Sequence, residues 1–301
     1  MRTIAIVILH YSNAQDTLEC ILSLEKVIIP KSLQLQIIVV DNASPNEFKT
    51  TNKHVEVIRS KQNRGFTGGN NMGISYALSE GADFVIILNN DTTVDKHLAE
   101  EFLNAYEEFP QAALFAPKIY FSKGSEYHKS RYKTDQLGKV IWYAGGSIDW
   151  QDVAGRHIGV DQVDQGQFDT QVTIDFASGC CMCIPKQTFE KIGLFDEKYF
   201  LYYEDADLCL RIKKVGLQMI FVPKSILWHK NASSTGIGST LQDYYISRNR
   251  MLFGMRYAPL RTKVALLKES MRLITNGRRW QKQGIADYYL GRFGKGSYKT
   301  L

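Results

Sequence analysis

Phe84-Val85-Ile86-Ile87-Leu88-Asn89-Asn90-Asp91-Thr92 reads as five apolar residues followed abruptly by polar, turn-forming ones. A short apolar run with such an ending is a buried strand that stops at a loop. Outward from it, the first 120 residues repeat one theme: apolar runs at 4–9, 35–40, 55–59 and 84–88, with helical patterns at 14–27 and 69–78. That alternation predicts an α/β fold with a mostly parallel central sheet flanked by helices. In such sheets ligands gather beyond the carboxyl ends of the strands. The polar residues placed there are His10-Tyr11, Asp41-Asn42 and Asn89-Asn90-Asp91.

From 119 to 168 the pattern breaks into Gly, Tyr, Lys and Asp, with brief strand-like pieces at 140–143 and 145–150. This is an irregular insertion. Regularity returns with a strand pattern over 172–184, helices over 185–192 and 204–215, short strands at 218–222 and 226–228, and a long helix over 241–256. With 301 residues and 44% hydrophobic content, the chain can bury one large core, or one core plus a small appendage, without staples. The longest apolar runs fall far short of the roughly 18 residues a membrane span needs. The N-terminus enters a strand-like run at once, with no signal-peptide pattern, so cytosolic residence is expected. The five cysteines, Cys20, Cys180, Cys181, Cys183 and Cys209, read as reduced thiols. Cys180, Cys181 and Cys183 lack the second knuckle or His pair of a zinc site.

Five constellations carry chemistry. Asp41 ends a strand, where a carboxylate accepts hydrogen bonds from a nucleobase or ribose, or else simply starts the turn Asn42-Ala43-Ser44-Pro45-Asn46. Asn63-Arg64-Gly65-Phe66-Thr67-Gly68-Gly69-Asn70-Asn71-Met72-Gly73 is a glycine-rich loop entering a helix. Free helix N–H groups and the forked Arg64 cation suit a diphosphate, although a purely structural glycine turn fits the same letters. It is neither a P-loop nor a dinucleotide fingerprint. Asn89-Asn90-Asp91 offers an oxygen ligand for magnesium or manganese, or a capping loop with Thr92. Glu204, Asp205 and Asp207 crowd three carboxylates under Phe200-Leu201-Tyr202-Tyr203. Crowding with apolar cover raises carboxyl pKa values toward what a general base needs, while Asp207 and Arg211, four apart, suit a helix-face ion pair. Acids at a helix start also serve the helix dipole. His229, after Trp228, is either a structural histidine or a metal ligand beside Asp91.

Taken in order, the segments 7–11, 39–44, 63–73, 88–92, 178–179, 203–208 and 228–229 resemble the family 2 glycosyltransferases of the GT-A fold. The likeness is greatest to the bacterial rhamnosyltransferase-like branch that builds O-antigen, capsule and other cell-surface glycans. It continues through Tyr244-Tyr245, Arg248-Asn249 and Gly291-Arg292-Phe293-Gly294-Lys295. The resemblance implies a GT-A domain over 1–240, with a nucleotide-sugar half at 1–118 and an acceptor and catalytic half at 119–240, then a helical basic extension at 241–301. It implies that Asp41 meets the uracil or thymine of the donor and that Asn63, Arg64 and Gly65 line the nucleotide-sugar pocket. Asp91 would hold a manganese or magnesium ion, with His229 as a further ligand. Asp205 would be the base for the acceptor hydroxyl, with Glu204 beside it, and Ser178-Gly179 would shape the acceptor side. His10, Asn70, Asn90 and Arg248 complete the expected substrate-contacting set. The family's DxD pattern becomes Asn89-Asn90-Asp91 here, so only its last position is anionic.

The implied activity is inverting transfer from dTDP-rhamnose or a UDP-hexose to a glycan acceptor, lipid-linked in this branch. From residue 256 onward there are 11 Lys and Arg but only Glu269 and Asp287, whereas the rest of the chain is net acidic. Leu266, Leu267, Leu273, Ile274, Trp280 and Tyr288 are interleaved there with Arg261, Lys263, Lys268, Arg272, Arg278, Arg279 and Lys282. Basic amphipathic helices suit the anionic inner face of the plasma membrane, or else an oligomer contact or a solvated face. The acidic core offers no nucleic-acid face. Two other classes compete: a sugar-nucleotide or glycan binder with a degenerate site, and a nucleotidyltransferase. The latter predicts a glycine-rich loop after the first strand, where His10-Tyr11-Ser12-Asn13-Ala14 stands instead.

Overall fold

A computed structural model describes residues 1–230 and 239–299. The elements run β1 (Arg2–His10), α1 (Ala14–Leu24), β2 (Leu33–Asp41), β3 (Val55–Arg59), α2 (Gly65–Ser79), β4 (Phe84–Asn89), β5 (Thr92–Val94), α3 (Leu98–Glu108) and β6 (Leu114–Phe121). The insertion holds β7 (Ile141–Tyr143), β8 (Gly146–Asp149) and β9 (Ala154–His157). Then come β10 (Val172–Thr173), β11 (Cys181–Pro185), α4 (Lys186–Ile192), α5 (Glu204–Lys214), β12 (Met219–His229), α6 (Thr240–Tyr257), α7 (Leu260–Asn276) and α8 (Arg279–Tyr289).

The main sheet runs β10-β12-β6-β11-β4-β1-β2-β3. Six of these strands point the same way; β11, antiparallel to both β4 and β6, is inserted among them. The predicted mostly parallel α/β sheet is therefore present. Its central strands are buried along their length, from Ile4 to Ile8, Ile37 to Val40, Val85 to Leu88 and Cys181 to Ile184. β8 and β9 form a separate hairpin.

Three elements differ from the sequence expectations. The glycine-rich stretch is not a loop before a helix but the first turns of α2 itself, which starts at Gly65. Gly69 and Gly73 lie one turn apart on the face that meets the sheet. A Cβ on Gly69 would stand 2.3 Å from Leu9 Cδ1, and one on Gly73 2.4 Å from Val7 Cγ1. Close packing thus overrides the poor helix propensity of glycine. Second, β6 carries no clear sequence signal, because Ala116, Pro117 and Lys118 interrupt its apolar run. Pro117 nonetheless sits inside the sheet, opposite a bulge of β12 between Val222 and Ile226, where a missing N–H is tolerated. That bulge also joins the two short strands expected at 218–228 into one. Third, the pattern over 172–184 divides into β10 and β11 around an irregular stretch containing Ser178 and Gly179.

All five cysteines are free and buried. In the tail, Leu266 packs inward and Leu273 is half-buried, whereas Leu260 (78% exposed), Val264, Leu267, Met271 (65%) and Ile274 form an exposed stripe on α7.

Candidate active site at the sheet edge

The parallel strands end at His10, Asp41, Arg59, Asn89, Phe121 and His229, and the segment leading into β11 lies at the same edge because Asn89 N–H donates to the Cys180 carbonyl at 2.9 Å. The predicted residues of this edge fall into a framework and two reactive groups.

His10 is buried against the Phe48 ring and shares a 2.7 Å hydrogen bond with Thr17 Oγ1. Burial lowers its pKa, and the nearby Asp41 charge offsets this only in part. Asn90 donates to the same Thr17 hydroxyl at 3.0 Å, so Thr17, which the sequence did not single out, couples β1 to the β4 loop. Asp41 is wholly buried. Its oxygens accept from Ser44 N–H (2.8 Å) and Phe48 N–H (3.0 Å), and it pairs with Arg59. Burial opposes its ionisation, but those hydrogen bonds and Arg59 outweigh it and hold the carboxyl below the ordinary range. Of the two readings of Asp41, the turn-forming one is the contact the structure displays. Asn42, which the sequence placed beside Asp41 at the strand end without a role of its own, is a tie: its amide accepts from Arg64 N–H (2.9 Å) and donates to the Gly65 carbonyl (3.0 Å) and to Asn63 Oδ1 (3.2 Å), joining β2 to the start of α2. Gly65 has φ +70°, and a Cβ there would stand 2.4 Å from the Phe200 carbonyl oxygen. Arg64 is exposed, its guanidinium 3.3 Å from Glu197. Asn70, inside α2, donates to the Phe66 carbonyl, and its Oδ1 is buried without a partner among the described residues.

Asp91 and His229 form the first reactive group. His229 Nε2 stands 3.1 Å from Asp91 Oδ1, with the side chains only 8% and 14% exposed respectively. The Trp142 ring from the insertion covers the imidazole edge-on, its centroid 4.6 Å away, and His229 Nδ1 is buried with no hydrogen-bond partner among the described residues. Lys230 anchors this end of β12 to α1 through Asp16 (2.6 Å) and Glu19 (2.5 Å). Among the described residues no third His, Cys, Asp or Glu completes a protein-only metal shell. One carboxylate and one imidazole fit a hard divalent cation that takes its remaining ligands from phosphate and water. Burial holds the Cys180, Cys181 and Cys183 thiols in the protonated form.

The second group is the start of α5. Glu204 is buried, with Oε2 unpartnered among the described residues. Burial raises its pKa well above the usual carboxyl value, and the neighbouring Asp205 and Asp207 charges add to this. Asp205 is half-buried and accepts from Gly179 N–H (3.2 Å) and Ala206 N–H (2.8 Å); burial lifts its pKa as well, against those hydrogen bonds. Ser178 Oγ accepts from Cys180 N–H, shaping the turn that presents Gly179. Through Gly179, Cys180 and Asn89, the Asp205 carboxyl is therefore linked to the loop that carries Asp91. Asp207 is separate: it is fully buried and takes hydrogen bonds from Arg211 Nε (2.8 Å), Arg256 (2.7 Å) and Tyr257 (2.8 Å), so the expected Arg211 pair exists within a larger structural hub.

Arg248 needs correction. The resemblance made it a substrate contact, but it is fully buried. Its five N–H groups are directed at Asn249 Oδ1 (3.0 Å) and the carbonyls of Arg292 (3.4 Å), Gly294 (2.7 Å), Lys198 (3.2 Å) and Tyr199 (2.9 Å). A guanidinium so occupied has no donor left for a diphosphate. Asn249, which sequence reasoning did not single out as functional, donates to the carbonyls of Tyr199, Leu201 and Tyr202 at 2.8–2.9 Å. These bonds hold a contorted segment, since Phe200, Tyr202 and Tyr203 have φ of +67°, +69° and +75°. Left-handed conformations of such bulky residues cost on the order of 1–3 kcal/mol each and persist only where the surroundings enforce them.

The family model for glycosyl transferase family 2 matches residues 5–193. Similar proteins include the low-salt glycan biosynthesis hexosyltransferase Agl10 of Haloferax volcanii, 27% identical over 83% of this chain and 74% of its own length. Another is the dTDP-rhamnosyl transferase RfbF of Shigella flexneri, 24% identical over 74% of this chain and 71% of its own. The N-acetylglucosaminyl-diphospho-decaprenol L-rhamnosyltransferase of Mycobacterium tuberculosis is 28% identical over 51% of this chain, which spans about half (49%) of that relative. Among solved structures, GalNAc-T7 with UDP, GalNAc and Mn2+ superposes with TM-score 0.60 at 17% identity, covering 76% of this chain and 44% of that one. The mannosyltransferase PcManGT of Pyrobaculum calidifontis, with GDP-Man and Mn2+, covers 99% of this chain and 76% of its own at TM-score 0.50 and 13% identity. The fold is thus GT-A, and with more than half of the chain matched, it belongs to glycosyl transferase family 2.

Proposed function

We propose that the chain is a divalent-metal-dependent, inverting glycosyltransferase that moves a sugar from dTDP-rhamnose, or a UDP-hexose, to a lipid-linked glycan acceptor in cell-surface polysaccharide assembly on the cytoplasmic side of the membrane. The observation that carries this reading is the link, through Asn89, Cys180 and Gly179, between the Asp91–His229 pair and the Glu204–Asp205 carboxyls. The names of the Shigella and mycobacterial relatives support the rhamnosyl donor, and the mycobacterial name supports a diphospholipid acceptor.

A manganese or magnesium ion held by Asp91 and His229 would supply positive charge where the donor diphosphate gains negative charge on departure. Arg64 adds a second cation by exchanging Glu197 for a phosphate. Asp41, with the turn it organises, shapes the nucleobase end, and His10, Asn63, Gly65, Asn70 and Asn90 fix the floor of the donor pocket. On the acceptor side, bounded by Ser178 and Gly179, Asp205 takes the hydroxyl proton as that oxygen bonds to the anomeric carbon. The bond from that carbon to the diphosphate breaks on the opposite face, so configuration inverts. Glu204, held neutral by its surroundings, keeps a second negative charge away from the base.

A thermal-shift screen of nucleotide sugars with and without manganese tests the donor. A dTDP or UDP sugar is expected to raise Tm only with metal, and EDTA to remove the shift. Asp205→Asn is expected to keep that shift while losing about 10²–10⁴-fold in transfer rate. Near-normal transfer by the variant would refute the base assignment.

A further inference from the structure

We propose that the C-terminal segment 291–298 is a positioning strap for the acid pair of α5, so that the basic extension is part of the transfer machinery. This rests on the reading of Asp205 as the reacting carboxyl. The segment folds back along α6 and touches the contorted stretch before α5 directly: Gly294 N–H donates to the Lys198 carbonyl at 2.9 Å. Arg248 then bridges the two, because Nη1 grips the Gly294 carbonyl at 2.7 Å while Nη2 grips Lys198 and Tyr199. Tyr245 repeats the bridge, its hydroxyl donating to the Lys295 carbonyl (3.0 Å) and its ring stacked on Phe200 (5.2 Å, 14°).

The strap has its own anchor. Buried Asp287 on α8 accepts from Ser297 N–H (2.8 Å), Ser297 Oγ (3.0 Å) and the Tyr244 hydroxyl. Only glycine fits at 296, where φ is +58° and a Cβ would stand 2.0 Å from the Tyr244 oxygen and 2.7 Å from Arg248 Nη1. No strap residue is proposed to touch substrate. Its work is to keep Phe200, Tyr202 and Tyr203 in conformations they would otherwise leave, since those residues set where α5 begins and hence where Glu204 and Asp205 point.

Three full-length variants test this: Gly296→Ala, Arg248→Lys, and Tyr245→Phe, which keeps the ring stack and drops one hydrogen bond. Hydrogen exchange followed by mass spectrometry is expected to quicken over 198–206 in each variant, least in Tyr245→Phe, with β1, β4 and α2 unchanged. With donor and acceptor supplied, kcat is expected to fall by up to about 100-fold for Gly296→Ala while the donor KM stays within twofold, as for a misplaced reacting group. Unchanged exchange over 198–206 in folded Gly296→Ala and Arg248→Lys would overturn the strap. Exchange that quickens with no loss of kcat would overturn its role in transfer. Failure of the underlying reading looks different, because Asp205→Asn would then transfer normally.

Discussion

Glu204 is a buried acid with one unsatisfied oxygen, and its position against Asp205 has consequences for both stability and rate. Folding raises its proton affinity, so its contribution to stability is complete below the unfolded-state pKa and is lost as pH rises through the folded one. Glu204→Gln, neutral throughout, is therefore expected to melt above the wild type at alkaline pH, the two curves converging toward acid. A variant that melts lower on the alkaline side would show that the charged form is the stabilising one. Because burial also lifts Asp205, the acid limb of the transfer rate is expected above the ordinary carboxylate value of about 4. The positions of Asp91 and His229 at the sheet edge were legible because each follows an apolar run that the sheet rule turns into a place, and that of Asp205 because acids crowd at a helix start. The ties that Arg248, Asn249 and Asn42 make were not, because most of their partners are backbone carbonyl and N–H groups, which leave no trace in residue identity.

At the scale of elements, α2 and α7 teach opposite lessons about composition. Glycines that read as a ligand loop are largely a packing surface, needed because β1 and β2 pass within a methyl group of the helix. The basic tail read as uniformly amphipathic, yet Leu266 packs into the protein while Leu260, Val264, Leu267, Met271 and Ile274 stay outside. Exposed Arg261, Lys268 and Arg272 flank that stripe. No described helix is long and apolar enough to cross a membrane, and a basic stripe of this kind suits a helix lying in the plane of a lipid surface. A basic residue at an anionic surface contributes about 1 kcal/mol, so replacing those three by Glu is expected to weaken binding to phosphatidylserine-containing liposomes about a hundredfold or more. Donor-induced thermal shifts should be untouched. Equal binding of the variant, or equal binding of the wild type to neutral vesicles, would dismiss the lipid surface and leave the stripe for a protein contact.

Across the whole molecule, the sheet accounts for most of what could be anticipated. Strand ends at His10, Asp41 and Asn89 followed from periodicity alone, and the order of motifs named the fold. What could not be anticipated is long-range: β6 with Pro117 opposite a bulge, β11 running against its neighbours, and a tail that returns to the acid pair some 90 residues earlier in the chain. Each depends on which surfaces meet, not on local propensity. The five sealed cysteines give those meetings a readout. Cys20 lies under the β4 loop, near the Asn89 carbonyl and the Thr92 hydroxyl, and burial lifts its pKa to about 12; Cys209 sits on the buried face of α5 against the Ala177 carbonyl. Neither thiol can react until its own half opens. An alkylating reagent thus becomes a pair of clocks, one for each side of the cleft: a bound nucleotide should slow labelling at Cys20 more than at Cys209, and loosening the tail should do the reverse.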